Sequence, residues 1–138
     1  MAESPRPARL RLSRAKGFNL QERSRAVNGL PAVKCDRTTK WGNPWRIGAK
    51  NPCGTVTKDA RHSASIYLGF APEQPRLVAA ARAELQNVNL ACWCELCDIH
   101  ATTGQSFRGD RCPFCEPCHC DTLGRIANGT IVCEEVAP

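Results

Sequence analysis

Seven of the chain's ten cysteines fall between Cys92 and Cys120, in the run CWCELCDIHATTGQSFRGDRCPFCEPCHC. No other stretch limits the fold so tightly. Within it, Cys97-x2-His100 is followed after eleven residues by Cys112-x2-Cys115. Two ligand pairs on tight turns, joined by a short loop, can converge on the four-coordinate tetrahedron that Zn²⁺ prefers. The intervening segment is polar and glycine-containing, so it offers little apolar surface to bury and a metal is its expected organiser. Cys94 with Cys97, Cys112 and Cys115 makes an equally good all-cysteine set. Cys92, Cys118 and His119 stand close enough in sequence to be further ligands, so the ligand assignment stays open here. The zinc ion itself is the expected cofactor.

The cysteines read as metal ligands rather than disulfides because the amino terminus has arginines but no apolar core of a secretory signal. No apolar run approaches the roughly 20 residues needed to span a bilayer. Together these predict a cytoplasmic protein with no membrane association. At 138 residues the chain suits one domain with a single core.

Charge is unevenly placed. Up to Arg25 there are seven Lys or Arg against Glu3 and Glu22, whereas the remaining 113 residues carry twelve cations and eleven anions. Residues 1–9 are expected to form a disordered basic arm, ahead of a single domain over 10–138. A basic arm attracts phosphate through long-range, salt-sensitive forces, and serves equally as a solubilising tail.

Hydrophobic patterning predicts the elements. ARLRLS alternates apolar and basic residues, which suits a short strand with one wet face. AVKC (32–35) is a second short strand. A helix is expected after Thr57 as its N-cap, with Asp59 in the first turn and an end near Gly69. A second helix is expected over about 74–86, with Pro75 near its start. VNLACWC reads as a buried central strand. A short helix follows in CDTLGRIANG, stopped by Asn128-Gly129, and TIVC reads as a last strand. Helices between strands without a repeat predict a small α/β or α+β domain, its central short-stranded sheet flanked by helices and carrying a Cys/His-rich zinc loop.

The loop KWGNPWRIG (40–48) combines tryptophans, cations, glycines and a proline. Arg37, Lys40 and Arg46 surround Trp41 and Trp45, and no acidic residue occurs between Asp36 and Asp59. Cations for phosphate plus flat aromatics for a base make a workable nucleotide or nucleic-acid recipe. Arg37, Lys40, Trp41, Asn43 and Arg46 are therefore the candidate ligand residues, although Trp41 and Pro44 also suit a role in fixing the loop's shape. CPFCEPC superficially resembles the cysteine element of zinc deaminases. That chemistry needs a glutamate two residues after a histidine, and the histidines here stand in HSA, HAT and HCD. The deaminase reading fails.

LSRAKGF, VKCDRTTKWGNPWRIG, NLACWC and PCHCDTLGRIAN, in that order, resemble a family of small phage and bacterial proteins defined only as domain of unknown function 4326. The resemblance runs from about Leu10 to Asn128. Its pattern falls on Lys16, Gly17, Arg37, Lys40, Trp41, Gly42, Asn43, Pro44, Cys92, Trp93, Cys94, Cys118, His119, Asp121 and Leu123, and it implies no activity. The family's short form joins C-W-C to P-C-H through a few residues; here Glu95 to Glu116 intervene. Residues 95–117 thus read as a zinc-binding insertion, which favours Cys97, His100, Cys112 and Cys115 as a self-contained set. Phe18 stands where tryptophan is usual, and residues 19–31 fit the pattern less well.

Three functions fit these residues. One is binding of nucleic acid or a nucleotide-like phosphorylated ligand through the KWGNP loop and the CWC and PCH turns. Another is a small enzyme on a nucleotide-like substrate, using Cys94, His119 and Asp121, since a thiolate can be activated by imidazolium or a helix amino end. The third is a protein-interaction factor docking through the zinc loop. Whether the KWGNP loop and the Cys94–His119 region share one cleft is the structural question that bears most on the choice.

Overall fold

The computed structural model describes residues 6–107 and 112–129. Four strands form one mixed sheet: β1 (Ala8–Arg11), β2 (Ala32–Lys34), β3 (Asn89–Cys92) and β4 (Gln105–Ser106). Their spatial order is β2-β3-β1-β4. β3 pairs in parallel with both β1 and β2, through Arg9 opposite Leu90 and Val33 opposite Leu90, and β4 closes the edge antiparallel to β1. All four residues of β3 are buried, as expected of an interior parallel strand.

The helices are α1 (Leu20–Asn28), α2 (Ala60–Phe70), α3 (Pro75–Glu84), the single turn α4 (His100–Thr103) and α5 (His119–Ala127). They lie on both faces of the sheet. Leu10, Leu12, Ala32 and Ala91 form one small core, against which Leu20 and Val27 of α1 pack. The larger core joins Leu90 and Cys92 of β3 to Leu123 and Ile126 of α5 and to Tyr67, Val78, Ala81 and Leu85 of α2, α3 and the turn after α3. Each fully buried Leu or Ile here contributes about 1.5–3 kcal/mol. The chain is an α/β domain with a short-stranded central sheet flanked by helices.

Local chemistry sets the ends of these elements. Asn19 caps α1 by accepting from the Glu22 amide at 3.1 Å, and Gly29 ends it in the left-handed region at φ 81°. α1 itself fell in the stretch that resembled the family least, and its polar exposed face masks its periodicity. α2 is capped by Asp59, which accepts from the His62 amide at 2.7 Å. Thr57, the expected cap, is instead buried in a preceding turn, where its amide donates to Ala49 O at 2.9 Å and its carbonyl accepts from Gly48 at 2.7 Å. α3 begins on Pro75, and α5 ends at Asn128 with Gly129 at φ 75°. Residues 130–138, which include the expected TIVC strand, lie outside the described residues.

The strand in ARLRLS keeps its alternation but not its wet face. Arg11 is exposed, while Arg9 is wholly buried because α5 covers the face it points to. Ala8 and Arg9 thereby belong to the sheet, and not to an amino-terminal arm ending at residue 9. Across the sheet, the Asn89 side chain accepts from the Ala8 amide (2.9 Å) and donates to Ser24 Oγ (2.7 Å), and it exchanges two amide hydrogen bonds with Asn28. These bonds tie α1 to β3 and β1 and satisfy a fully buried amide. At Gly124 a Cβ would meet the Phe107 ring at 2.4 Å, so the missing side chain lets the segment around β4 seat on α5. Among the described residues no helix is long and apolar enough to cross a membrane.

Candidate functional site

A cleft of about 380 Å³ opens at the carboxyl ends of the parallel strands. Asp36, Arg37 and Thr38, just beyond β2, form one wall; Cys92, Trp93 and Cys94, at the end of β3, form the floor. Pro117, Cys118 and His119 bring in the amino end of α5, and Ala60, Ser63 and Ala64 bring in that of α2. Asn43 and Ile47 close it from the KWGNPWRIG loop. The loop and the C-W-C and P-C-H segments therefore share one cleft, in the position where open α/β sheets place their ligands.

The loop's side chains divide sharply. Trp41 is buried in the main core, and Trp45 packs on Tyr67 and Phe70, with ring centroids 6.1 and 5.6 Å away. Gly42 passes so close to the Asp36–Arg37 backbone that a Cβ would lie 2.6 Å from Arg37 Cα. Asn43 lines the cleft but also clamps the loop: its Nδ2 donates to Ser63 Oγ at 2.9 Å, and its Oδ1 accepts from the Trp45 amide at 2.9 Å. Lys40 lies outside the cleft lining, paired with Glu84 at 2.7 Å and 4.9 Å above the Trp41 ring. Arg46 is exposed and is not part of the lining. Of the five candidate ligand residues, the structure brings Arg37 and Asn43 to the cleft. Trp41 is a core residue.

Trp93 was not singled out as a ligand contact from the sequence, although it sits in the middle of C-W-C. It is 40% exposed, its indole donates to Asp36 Oδ2 at 3.0 Å, and the Arg14 guanidinium stacks on it at 4.9 Å. It also borders a shallower depression formed by Arg11, Leu12, Ser13 and Arg14. Burial opposes ionisation of Asp36, but the Thr38 hydroxyl and the Trp93 indole outweigh it and hold this carboxyl below its ordinary value. Ser63, at the opposite wall, carried no local sequence signal; only folding brings it near.

Two sulfur-rich groups flank this region. In the insertion, Cys97, His100, Cys112 and Cys115 gather their ligand atoms within 4.8 Å of one another. His100 Nδ1 is 3.1 Å from Cys97 Sγ and 3.3 Å from Cys115 Sγ, and the Cys97 and Cys112 sulfurs are 4.0 Å apart. Tetrahedral zinc bonds imply edges of about 3.8 Å between sulfurs and about 3.6 Å from sulfur to nitrogen. Backbone amides of Cys97 and His100 donate to the sulfurs of Cys115 (3.3 Å) and Cys97 (3.4 Å), as outer partners of metal thiolates do. This set could hold a metal ion. Without one, burial pushes the Cys115 thiol up to about 11. Burial opposes ionisation of Cys112 too, but there the amides of Phe114 and Cys115 outweigh it and lower the thiol. The all-cysteine alternative is not assembled, because Cys94 stands in the other group.

That second group is Cys92, Cys94 and Cys118, again with sulfurs within 4.8 Å of one another; Cys92 and Cys118 approach to 3.1 Å. Cys118 caps α5 and is held well below the ordinary thiol value by hydrogen bonds from Cys120, Cys92 and Cys94. Cys94, donating to Cys118 and Cys92 and partly buried, is pushed up. His119 is raised: burial opposes its charge, but the Cys118 sulfur beside Nδ1 (3.5 Å) prevails. Its Nε2 lies 2.6 Å from the Cys35 carbonyl, and Tyr67 stacks edge-on at 5.4 Å. Of the candidate catalytic residues, Cys94 and His119 line the cleft. Asp121 faces the interior, accepting from the Cys118 amide (3.2 Å), Gln105 Nε2 (2.7 Å) and Arg9 Nη1 (3.5 Å).

No curated protein and no solved structure matches the chain. A family model does, over residues 18–129, which takes in the KWGNP loop, the C-W-C strand and the P-C-H turn. The three segments that meet at the cleft are thus all inside the matched region, and the chain belongs to the family described as domain of unknown function (DUF4326).

Proposed function

We propose that the protein binds a nucleotide-like phosphorylated ligand in the cleft, with a zinc ion at Cys97, His100, Cys112 and Cys115 organising the adjoining loop. The observation that carries this is the cleft itself: it lies at the carboxyl ends of parallel strands, with Arg37 in its wall and the amino ends of α2 and α5 on its margin. Helix amino ends and a guanidinium favour phosphate. Trp93 supplies a flat ring at the margin for a base, and the cleft's volume falls in the range that accommodates small ligands.

Titration with nucleoside mono-, di- and triphosphates and a short oligonucleotide tests this. Arg37→Ala is expected to weaken binding about tenfold or more, the loss of a charge-assisted hydrogen bond. Absence of binding by the wild type, or equal binding by Arg37→Ala, sinks the reading. Stronger binding of the oligonucleotide than of any mononucleotide assigns the surface to nucleic acid.

One further observation favours a second reading, a protein partner docked on the insertion. Ile99 and Phe114 sit on the two turns that carry the ligand pairs and are 73% and 83% exposed. Phe114→Ser, with its metal content unchanged, is then expected to lose a stoichiometric partner that co-purifies with the wild type from native extract. Equal recovery removes this reading.

A further inference from the structure

We infer that Cys92, Cys94 and Cys118 form a second zinc site, whose fourth coordination position opens into the cleft. The inference goes beyond ligand binding and does not depend on what the cleft binds.

Cys92 is the last residue of β3, and Cys94 stands two residues on, in the bend that follows the strand. Cys118 meets them from the N-cap of α5, and its sulfur is 3.1 Å from that of Cys92. All three sulfurs lie within 4.8 Å of one another and all three residues line the cleft. Three protein ligands with one side facing a cavity is the arrangement of zinc sites that keep a position for water or substrate, whereas closed structural sites use four. The insertion's Cys97–His100–Cys112–Cys115 set is of the closed kind.

The surroundings suit thiolates. The wholly buried Arg9 acts electrostatically on Cys92, Cys118 and Cys94 from the interior side, and among the described residues its Nε has no hydrogen-bond partner. The amino end of α5 adds its own partial positive charge at Cys118. His119 is not gathered into this set: its Nε2 lies 2.6 Å from the Cys35 carbonyl, and its Nδ1 lies 3.5 Å from the Cys118 sulfur. Cys118, His119 and Cys120 also bring ligand atoms within 4.8 Å of one another, but they share Cys118 with this set, and Cys120 is wholly buried and does not line the cleft. The ion's chemical class is a thiolate-binding divalent metal. Its free position suits an anionic or neutral donor small enough to enter the cleft.

Metal content of anaerobically purified protein tests the count. About two zinc ions per chain are expected in the wild type and about one in Cys112→Ser and in Cys94→Ser. Cobalt replacing zinc gives visible absorption bands that report the ligands. Added imidazole or cyanide is expected to shift these bands in the wild type and in Cys112→Ser, whose remaining metal is the open one, but not in Cys94→Ser. Retention of the insertion's metal by Cys94→Ser shows that its fold persists; should that variant unfold, the wild type and Cys112→Ser decide alone. One zinc per chain in the wild type overturns the inference, as does a Cys92–Cys118 disulfide in the anaerobic protein. Cobalt bands indifferent to added ligand in Cys112→Ser overturn the open position. Failure of nucleotides to bind alters none of these readouts.

Discussion

Replacing Arg9 with methionine is expected to lower stability by about 3–5 kcal/mol, the cost of removing one partner of a buried charge pair. Arg9 is wholly buried, and it closes the neck of the insertion. Its Nη1 donates to the Glu116 carbonyl at 2.8 Å and reaches Asp121 at 3.5 Å, while Nη2 donates to the Glu95 carbonyl at 3.2 Å. Burial disfavours the guanidinium's charge, but Asp121 outweighs it and keeps the group protonated. In Arg9→Met the apolar stem is kept and the charge lost, so the buried Asp121 carboxylate loses its guanidinium partner, and two carbonyls lose a donor. Adding Asp121→Asn removes the uncompensated carboxylate and is expected to restore most of the loss. Urea midpoints of the two variants check this. A loss below about 1 kcal/mol in Arg9→Met contradicts the account, and equal losses in the single and double variants show that packing, not charge, is what Arg9 provides.

Arg9 also shows where the sequence was legible and where it was not. Period-two alternation in ARLRLS correctly signals a strand, because alternation follows from strand geometry alone. Whether a face is wet depends on what covers it, and α5 lies more than a hundred residues away. The central strand at NLACWC and the helices around 60–70, 75–84 and 119–127 were legible for a similar reason: each carries its own local pattern and stop signals. α1 was not, since LQERSRAVN is polar overall and only Leu20 and Val27 pack against the core. β4 has only two residues and is held by Phe107 on Gly124 and by pairing with β1, which no local pattern announces.

The candidate site divides along the same line. Spacing alone marked the pairs Cys97-x2-His100 and Cys112-x2-Cys115, which the structure gathers into one group. It could not choose between this set and the one containing Cys94; the end of β3 decides, by aiming Cys94 toward Cys92 and Cys118. In the KWGNP loop the residue types suggested a ligand surface, yet Lys40 turns to Glu84 and Trp41 to the core. A lysine that can reach an acidic helix surface, or a tryptophan that can reach an apolar interior, carries no mark of that choice in its neighbours. Trp93, by contrast, was readable in principle. It stands just past the last residue of β3, at the end of the strand where open α/β sheets place their ligands.

Cys112→Ser, which removes a ligand of the insertion's proposed metal and none of the Cys92, Cys94 and Cys118 group, is expected to loosen the insertion selectively rather than unfold the domain. Few apolar contacts hold the two turns that carry the ligands: Ile99 and Phe114 are exposed, and Cys97, His100 and Cys112 are only half-buried. Zinc binding by such ligand sets contributes about 10–16 kcal/mol to folding, far more than so small an apolar contact could replace. The neck is independent of the metal. The Glu116 amide donates to Glu95 O at 2.9 Å, the Glu95 amide to the Glu116 carboxylate at 3.0 Å, and Arg9 reaches both carbonyls from beneath. The middle of the insertion has its own anchor as well, because Phe107 is buried against Gly124 and the Gln105 side chain donates to Asp121 at 2.7 Å. Amide hydrogen exchange should therefore rise by several orders of magnitude at Cys97, His100 and Cys115. At Phe107 it should rise far less, and at Leu90 and Leu123 it should stay unchanged. Limited proteolysis is expected to cut within 97–103 or 112–115 and leave the strands joined. Uniform loss of protection across β3 and α5 in Cys112→Ser contradicts the self-contained insertion, and no change in that variant shows that the four side chains pack without an ion.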